Sequence, residues 1–160
     1  MPRKYGLFTD LQIRVLIGRS RGLTLREIAR LLKTSHQNIS IAEKRAYDNL
    51  EVAKRTILIY NIISSPIKLV IDKNTHLMDV PKIIVNECDK KGLRLRSDFT
   101  LIYKLIRFNA SKCISGSRII DPILIIVDET GMPHVYPFNE VRDLYTQLER
   151  LSQDIIGRYK

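Results

Sequence analysis

The sequence predicts an α+β protein: an all-α helix-turn-helix with an extended third helix, followed by a small α+β domain whose mixed or antiparallel sheet is covered by helices. Three observations carry this expectation. Capping-box spacings at Thr9/Gln12 and Thr24/Glu27 precede apolar residues at helical intervals. After Leu32, no glycine or proline occurs before Pro66. Beyond Pro66 the texture changes to short β-branched runs punctuated by turn residues.

The first helix should begin at Asp10, with Leu11, Val15 and Leu16 on one face, and end near Ser20, where Gly18 and Gly22 bracket polar residues. Thr24 and Glu27 open a second, short helix with an apolar face of Leu25, Ile28, Ala29, Leu31 and Leu32. Ser35 can cap a third helix after a turn of about three residues, which is helix-turn-helix geometry. In that helix Ile39, Ala42 and Ala46 share one side. Gln37, Ser40, Ile41 and Lys44 look away from it, with His36 and Arg45 at the margins.

Charge supports a polyanionic partner. The chain holds 27 Lys or Arg against 17 Asp or Glu, a formal net charge of +10, and residues 1–60 hold 12 of those cations against 5 of the acids. A helix that presents hydrogen-bonding groups and positive charge together suits a DNA major groove, whose base edges carry donors and acceptors. The candidate reading residues are Ser35, His36, Gln37, Asn38, Ser40, Ile41 and Lys44, and Arg45, Arg19 and Arg21 are candidates for phosphate. The predicted partner is double-stranded DNA and the predicted role is sequence-specific transcription regulation. A non-specific DNA-coating protein acting by charge alone is the first alternative, distinguishable by its response to salt and competitor DNA, and an enzyme with an unrecognised site in the C-terminal domain is the second.

The segments LTLREIARLL (23–32), SHQNIS (35–40) and AEKRA (42–46) resemble the helix-turn-helix of sigma-factor region 4, and more specifically archaeal Tfx-type DNA-binding proteins. The similarity runs from about Phe8 to Leu50 and continues less distinctively through VPKII (80–84) and DKKG (89–92). The resemblance implies DNA-binding transcriptional regulation.

The apolar stripe of the third helix continues through Leu50, Ala53, Ile57 and Tyr60, so one helix from Ser35 to Ile63 is expected. A stripe of that length needs cover, from a second copy or from the C-terminal domain. A homodimer is favoured, because two reading heads match a pseudo-palindromic site.

The domain division is expected at 1–63 and 64–160. In the second part, residues 67–71 read as a strand, Asp79 and Pro81 as the start of a helix lined by Ile83, Ile84 and Cys88, and residues 93–95 as a brief strand. Residues 97–109 are open between strand and helix, although a Ser97 cap and the spacing of Phe99, Ile102, Tyr103 and Ile106 favour a helix. Residues 119–127 form a β-branched run, residues 128–131 a turn and residues 135–138 a returning strand. Asn139 would then cap a last helix with an apolar face of Val141, Leu144, Tyr145, Leu148, Leu151 and Ile155.

No nucleotide-binding glycine loop, zinc-protease pair or nucleophile elbow occurs, and His36, His76 and His134 lie in separate segments, so neither enzymatic activity nor a cofactor or metal is expected. Adjacent Asp128 and Glu129 read as a hairpin tip rather than an acid-base pair. The second domain is expected to assemble the dimer or to sense a small effector. Cys88 and Cys113 are expected as buried reduced thiols. No export signal or membrane span is legible, so the expected location is the cytoplasm.

Overall fold

The computed structural model describes residues 5–158, which form two compact units, one ending at Leu58 and the other beginning at Ile59. The boundary falls inside the long third helix rather than at its end.

The first unit is helical, with α1 Asp10–Ser20, α2 Leu25–Leu31 and the beginning of α3 His36–Ser64. Both capping boxes form. Thr9 Oγ1 accepts from the Gln12 amide at 3.3 Å, and Gln12 Oε1 accepts from the Thr9 amide at 2.9 Å. These bonds satisfy amides that would otherwise be orphaned at a helix start. Val15, Ile28, Ala29, Ile39 and Ala42 make the core. Gly18 lies inside α1 rather than terminating it, and a β-carbon there would sit 2.7 Å from Ile28 Cδ1. Its role is a close approach of α1 to α2. Leu31, expected on the apolar face, is exposed. It sits at the last position of a two-turn helix, where no partner helix reaches around to cover it.

In the second unit, β1 Ile67–Ile71, α4 Val80–Lys90 and α5 Phe99–Asn109 precede a small hairpin of β2 Ile114–Ser115 and β3 Arg118–Ile119. The chain continues through β4 Ile123–Val127, β5 Pro133–Pro137 and α6 Phe138–Arg158. The main sheet is antiparallel with order β1-β4-β5, and Leu69, Ile125 and Val135 lie in register across it. All five residues of β4 are buried. Side chains alternate across the sheet, so Ile123, Ile125 and Val127 face the core built with α4 and α5, while Leu124 and Ile126 face the other way. On that second face Lys68 of β1 lies 3.9 Å from Glu149 of α6, and Asn61 near the end of α3 lies beside Tyr136 of β5. The sheet is therefore sandwiched between α4/α5 and α6. Cys88 and Cys113 are free and buried, and burial pushes both thiols up.

Several local expectations change. Residues 93–95 pair with no strand, and the following Arg96 amide donates to the Gly131 carbonyl in the turn between β4 and β5. Asp79 makes no side-chain cap to α4, which is preceded by a 3₁₀ turn Leu77–Asp79 capped by His76. The cap of α5 is Asp98, whose Oδ1 accepts from the Leu101 amide at 2.7 Å, not Ser97. A carboxylate outcompetes the neighbouring hydroxyl for a helix amide because its bond is charge-assisted. The β-branched run at 119–127 is cut at Pro122, which has no amide to give a ladder, leaving β3 and β4 as separate strands. Phe138 and Asn139 lie within the first turn of α6 instead of ending β5 and capping the helix. Finally, Val141 is buried and Leu144, Tyr145 and Leu148 are half-buried, but Leu151 and Ile155 are exposed. A 21-residue helix is about 31 Å long, whereas five-residue strands span about 17 Å, so the end of α6 overhangs the sheet.

The β4–β5 turn is organised by Asp128. Its Oδ1 accepts from the Thr130 amide at 2.8 Å, the Thr130 hydroxyl at 2.6 Å and the Met132 amide at 3.1 Å, and its Oδ2 lies 2.8 Å from His134 Nε2. Burial opposes ionisation of this carboxyl, but the bonds from His134, Thr130 and Met132 outweigh it and hold the group well below the usual carboxylate range. A depressed folded-state pKa contributes stability that is present above the unfolded value of about 4 and disappears as pH falls below it. Asp128→Ala is therefore expected to lose about 1–3 kcal/mol at neutral pH. In urea titrations the gap to the unmodified protein should narrow steadily below about pH 4. A gap that widens on acidification would contradict the assignment.

Candidate nucleic-acid interface

The candidate reading face is assembled by the turn between α2 and α3. Lys33 adopts φ 51° and the Thr34 amide donates to the Ala29 carbonyl at 3.0 Å, which reverses the chain within residues 32–35. Ser35 Oγ then accepts from the Asn38 amide at 3.1 Å and opens α3. Asn38 Nδ2 donates to Thr34 Oγ1 at 3.0 Å, so this side chain braces the turn from inside the predicted reading set.

Ile39, Ala42 and Ala46 are buried, and they fix the rotation of α3 about its axis. As a result Ser35, His36, Gln37, Ser40, Ile41, Lys44 and Arg45 are all exposed. Gln37, Ile41 and Lys44 follow at intervals of four and three, forming one row with Ser40 beside it. Beyond Arg45 the exposed residues change character, to Tyr47, Asp48 and Glu51. Acidic side chains thus bound the row on its C-terminal side.

The few acids near the row are occupied. Between Glu27 and Glu43 there is none. The Glu27 carboxylate accepts from the Thr24 amide and hydroxyl at 2.7 and 2.8 Å, and these bonds lower its pKa. Glu43 pairs with Arg19 at 2.9 Å, and a second Arg19 nitrogen donates to the Leu23 carbonyl at 3.0 Å. Arg19 is consequently a clamp between α1 and α3 as well as a surface cation, a pairing that spacing along the chain does not reveal. Arg21 is exposed, and among the described residues it has no ion pair. Sequence reasoning passed over Arg26 and Arg30, exposed one turn apart on α2 and without a salt bridge among the described residues. Their four-residue spacing was the available signal.

The start of α1 is tied to α3 as well. Asn49 Nδ2 donates to the Leu7 carbonyl at 2.8 Å and to Gln12 Oε1 at 3.4 Å. The unit thereby presents a braced helix end with unneutralised cations, which can hold phosphates while polar side chains meet base edges. Among the described residues no group of three or more His, Cys, Asp or Glu is arranged to hold a metal ion, and no helix is long and apolar enough to cross a membrane.

Comparison with known proteins places the chain among DNA-binding and regulatory proteins. Residues 53–135 match the family model described as the C-terminal part of the DNA-binding protein TFX. A protein of Methanococcus vannielii named "Putative transcriptional regulatory protein" is 36% identical over 132 residues, covering 82% of this chain and 93% of its own. A similarly named protein of Methanocaldococcus jannaschii is 38% identical, covering 77% and 90% respectively. The DNA-binding protein Tfx of Methanothermobacter marburgensis is 32% identical, covering 68% of this chain and 78% of its own. The chain belongs to the Tfx family of DNA-binding proteins, which these archaeal relatives share.

Proposed function

We propose that the protein is a sequence-specific transcription regulator that places the first turns of α3 in the major groove of double-stranded DNA. The observation that carries this reading is the exposed row of Gln37, Ser40, Ile41 and Lys44 on a helix end whose neighbouring acids are bonded elsewhere. Gln37 and Lys44 can hydrogen-bond base edges, and Ile41 can pack against a thymine methyl. Ser35, His36 and Asn38 sit at the helix start, where the reading helix meets the backbone. Arg45, Arg21, Arg26 and Arg30 hold phosphates on either side, joined by the part of Arg19 not engaged with Glu43.

Gln37→Ala and Lys44→Ala are each expected to weaken binding to a site selected from random DNA by about 1–3 kcal/mol, with a much smaller loss on unrelated DNA. Arg21→Ala should weaken both equally and reduce the salt slope by about one. Equal losses on target and random duplex for all three variants would instead indicate a coating protein that binds by charge.

The protein works as a homodimer in this proposal. Ile57 and Tyr60 continue the apolar stripe of α3 yet are 61% and 68% exposed in a single chain. Two reading heads would also supply the half-site symmetry that a single short row of contacts lacks. Analytical ultracentrifugation at micromolar concentration should find twice the monomer mass, with and without DNA. A monomer under both conditions excludes the dimer.

A further inference from the structure

We propose that the second unit carries a binding site for a phosphate group, or a tetrahedral oxyanion of like size, centred on Arg107. Arg107 borders three clefts, an apolar one of about 590 Å³ with Lys104, Leu105 and Phe108, and two smaller ones of about 200 and 210 Å³ that carry the serine and histidine side chains. Of the smaller two, one is lined by Arg107 with Ser111, Ile114 and Gly116, the other by Arg107 with His76, Tyr103 and Ser117 among others. Their volumes fall below the roughly 300–1,000 Å³ of pockets for drug-sized ligands. At about 30 Å³ per water molecule, each has room for a small ion that keeps part of its hydration.

The lining selects the sign of the charge. Arg107 offers five N–H donors. Among the described residues, neither its guanidinium nor the hydroxyls of Ser111 and Ser117 has a hydrogen-bond partner or ion pair in the chain. His76 Nδ1 accepts from the Met78 amide at 3.2 Å, so a neutral imidazole must carry its proton on Nε2 and is a donor there. No carboxylate lines either cleft. The wider setting agrees, because residues 99–120 contain Lys104, Arg107, Lys112 and Arg118 and no Asp or Glu. A guanidinium, hydroxyls and an imidazole with no carboxylate beside them among the described residues, set next to the apolar Leu77 and the Met78 thioether, offer the positive charge and the hydrogen-bond donors that a phosphate group takes.

Fold and sequence make this arrangement together. Gly116 adopts φ +58°, a left-handed conformation that lets the β2–β3 hairpin turn in two residues. The Leu77 amide donates to the Ser117 carbonyl at 2.8 Å, joining that turn to the segment carrying His76. Residues forty positions apart along the chain are thereby brought around the one arginine of α5. The phosphate can belong to a small metabolite, which would make the site a sensor, or to the backbone of bound DNA.

Titration of the full isotope-labelled chain with inorganic phosphate, at constant ionic strength, separates the cases. Saturable NMR shifts are expected at the amides of Ser111, Gly116 and Ser117 and at Arg107 Nε–H. Arg107→Gln should weaken them roughly tenfold, whereas Lys82→Gln, which removes an equal charge from an exposed position on α4, should leave them unchanged. If free phosphate gives no saturation but a DNA duplex shifts the same resonances, and Arg107→Gln removes that response, the phosphate is the backbone's. The free-phosphate arm is independent of the DNA-reading proposal, and the duplex arm alone rests on it. No response to either ligand, or the same response in Arg107→Gln as in the unmodified chain, overturns the site.

Discussion

Gly131→Ala is expected to destabilise the second unit by at least about 3 kcal/mol, lowering its melting temperature on the order of 10–20 °C. Gly131 has φ +87°, where an L side chain is strained by about 1–2 kcal/mol. A β-carbon there would also collide with the Arg94 carbonyl oxygen and stand 3.2 Å from the Arg96 amide nitrogen, both backbone atoms that cannot rotate aside. The Arg96 amide donates to the Gly131 carbonyl at 2.9 Å, so the segment cannot retreat without breaking its own hydrogen bond. Gly92→Ala supplies the control. Its φ of +64° is similarly left-handed, but nothing lies within 4 Å of the added carbon, so a loss of only about 1 kcal/mol is expected. Equal shifts for the two variants in calorimetry would show that the close approach at Gly131 has no energetic weight.

The second large effect is expected in the first unit. Ile39→Ala removes the side chain that α3 inserts among Val15, Ile28, Ala29 and Ala42, at a cost of about 2–5 kcal/mol. At on the order of 0.1 kcal/mol per residue, a unit ending at Leu58 has only about 5 kcal/mol in total. The variant should therefore populate a state in which the first unit is open. Hydrogen exchange would lose protection in α1 and α2 while β4 stays protected, and binding to DNA would fall with it. Persistence of protection in α1 together with full DNA affinity would mean that the first unit draws its stability from elsewhere.

What was legible in the sequence follows how local each determinant is. Thr9, Gln12, Thr24 and Glu27 act within one turn, so both helix starts could be read directly. The burial of Ile39, Ala42 and Ala46 follows from a single period, and with it the outward direction of Gln37 and Lys44. Determinants that join distant segments were not legible. The Arg19–Glu43 pair spans 24 positions, and the clefts at Arg107 draw on residues from His76 to Ser117. Ile57, Tyr60, Leu151 and Ile155 continue apolar periodicities past the surface available in one chain. Periodicity records which side of a helix is apolar; it does not record where the cover stops.

The complete burial of β4 has a consequence for the protein before it has folded. Residues 123–127 read Ile-Leu-Ile-Ile-Val, uncharged and strongly β-prone, the kind of segment that stacks with copies of itself when left open. Pro122 and Asp128 bracket it, Pro133 and Pro137 bound the edge strand β5, and Lys68 places a charge on the other edge strand β1. The strand at the centre of the sheet is therefore also a segment prone to self-pairing, and prolines and charges at these flanking positions are the residue types that oppose such pairing until β1 and β5 close over it.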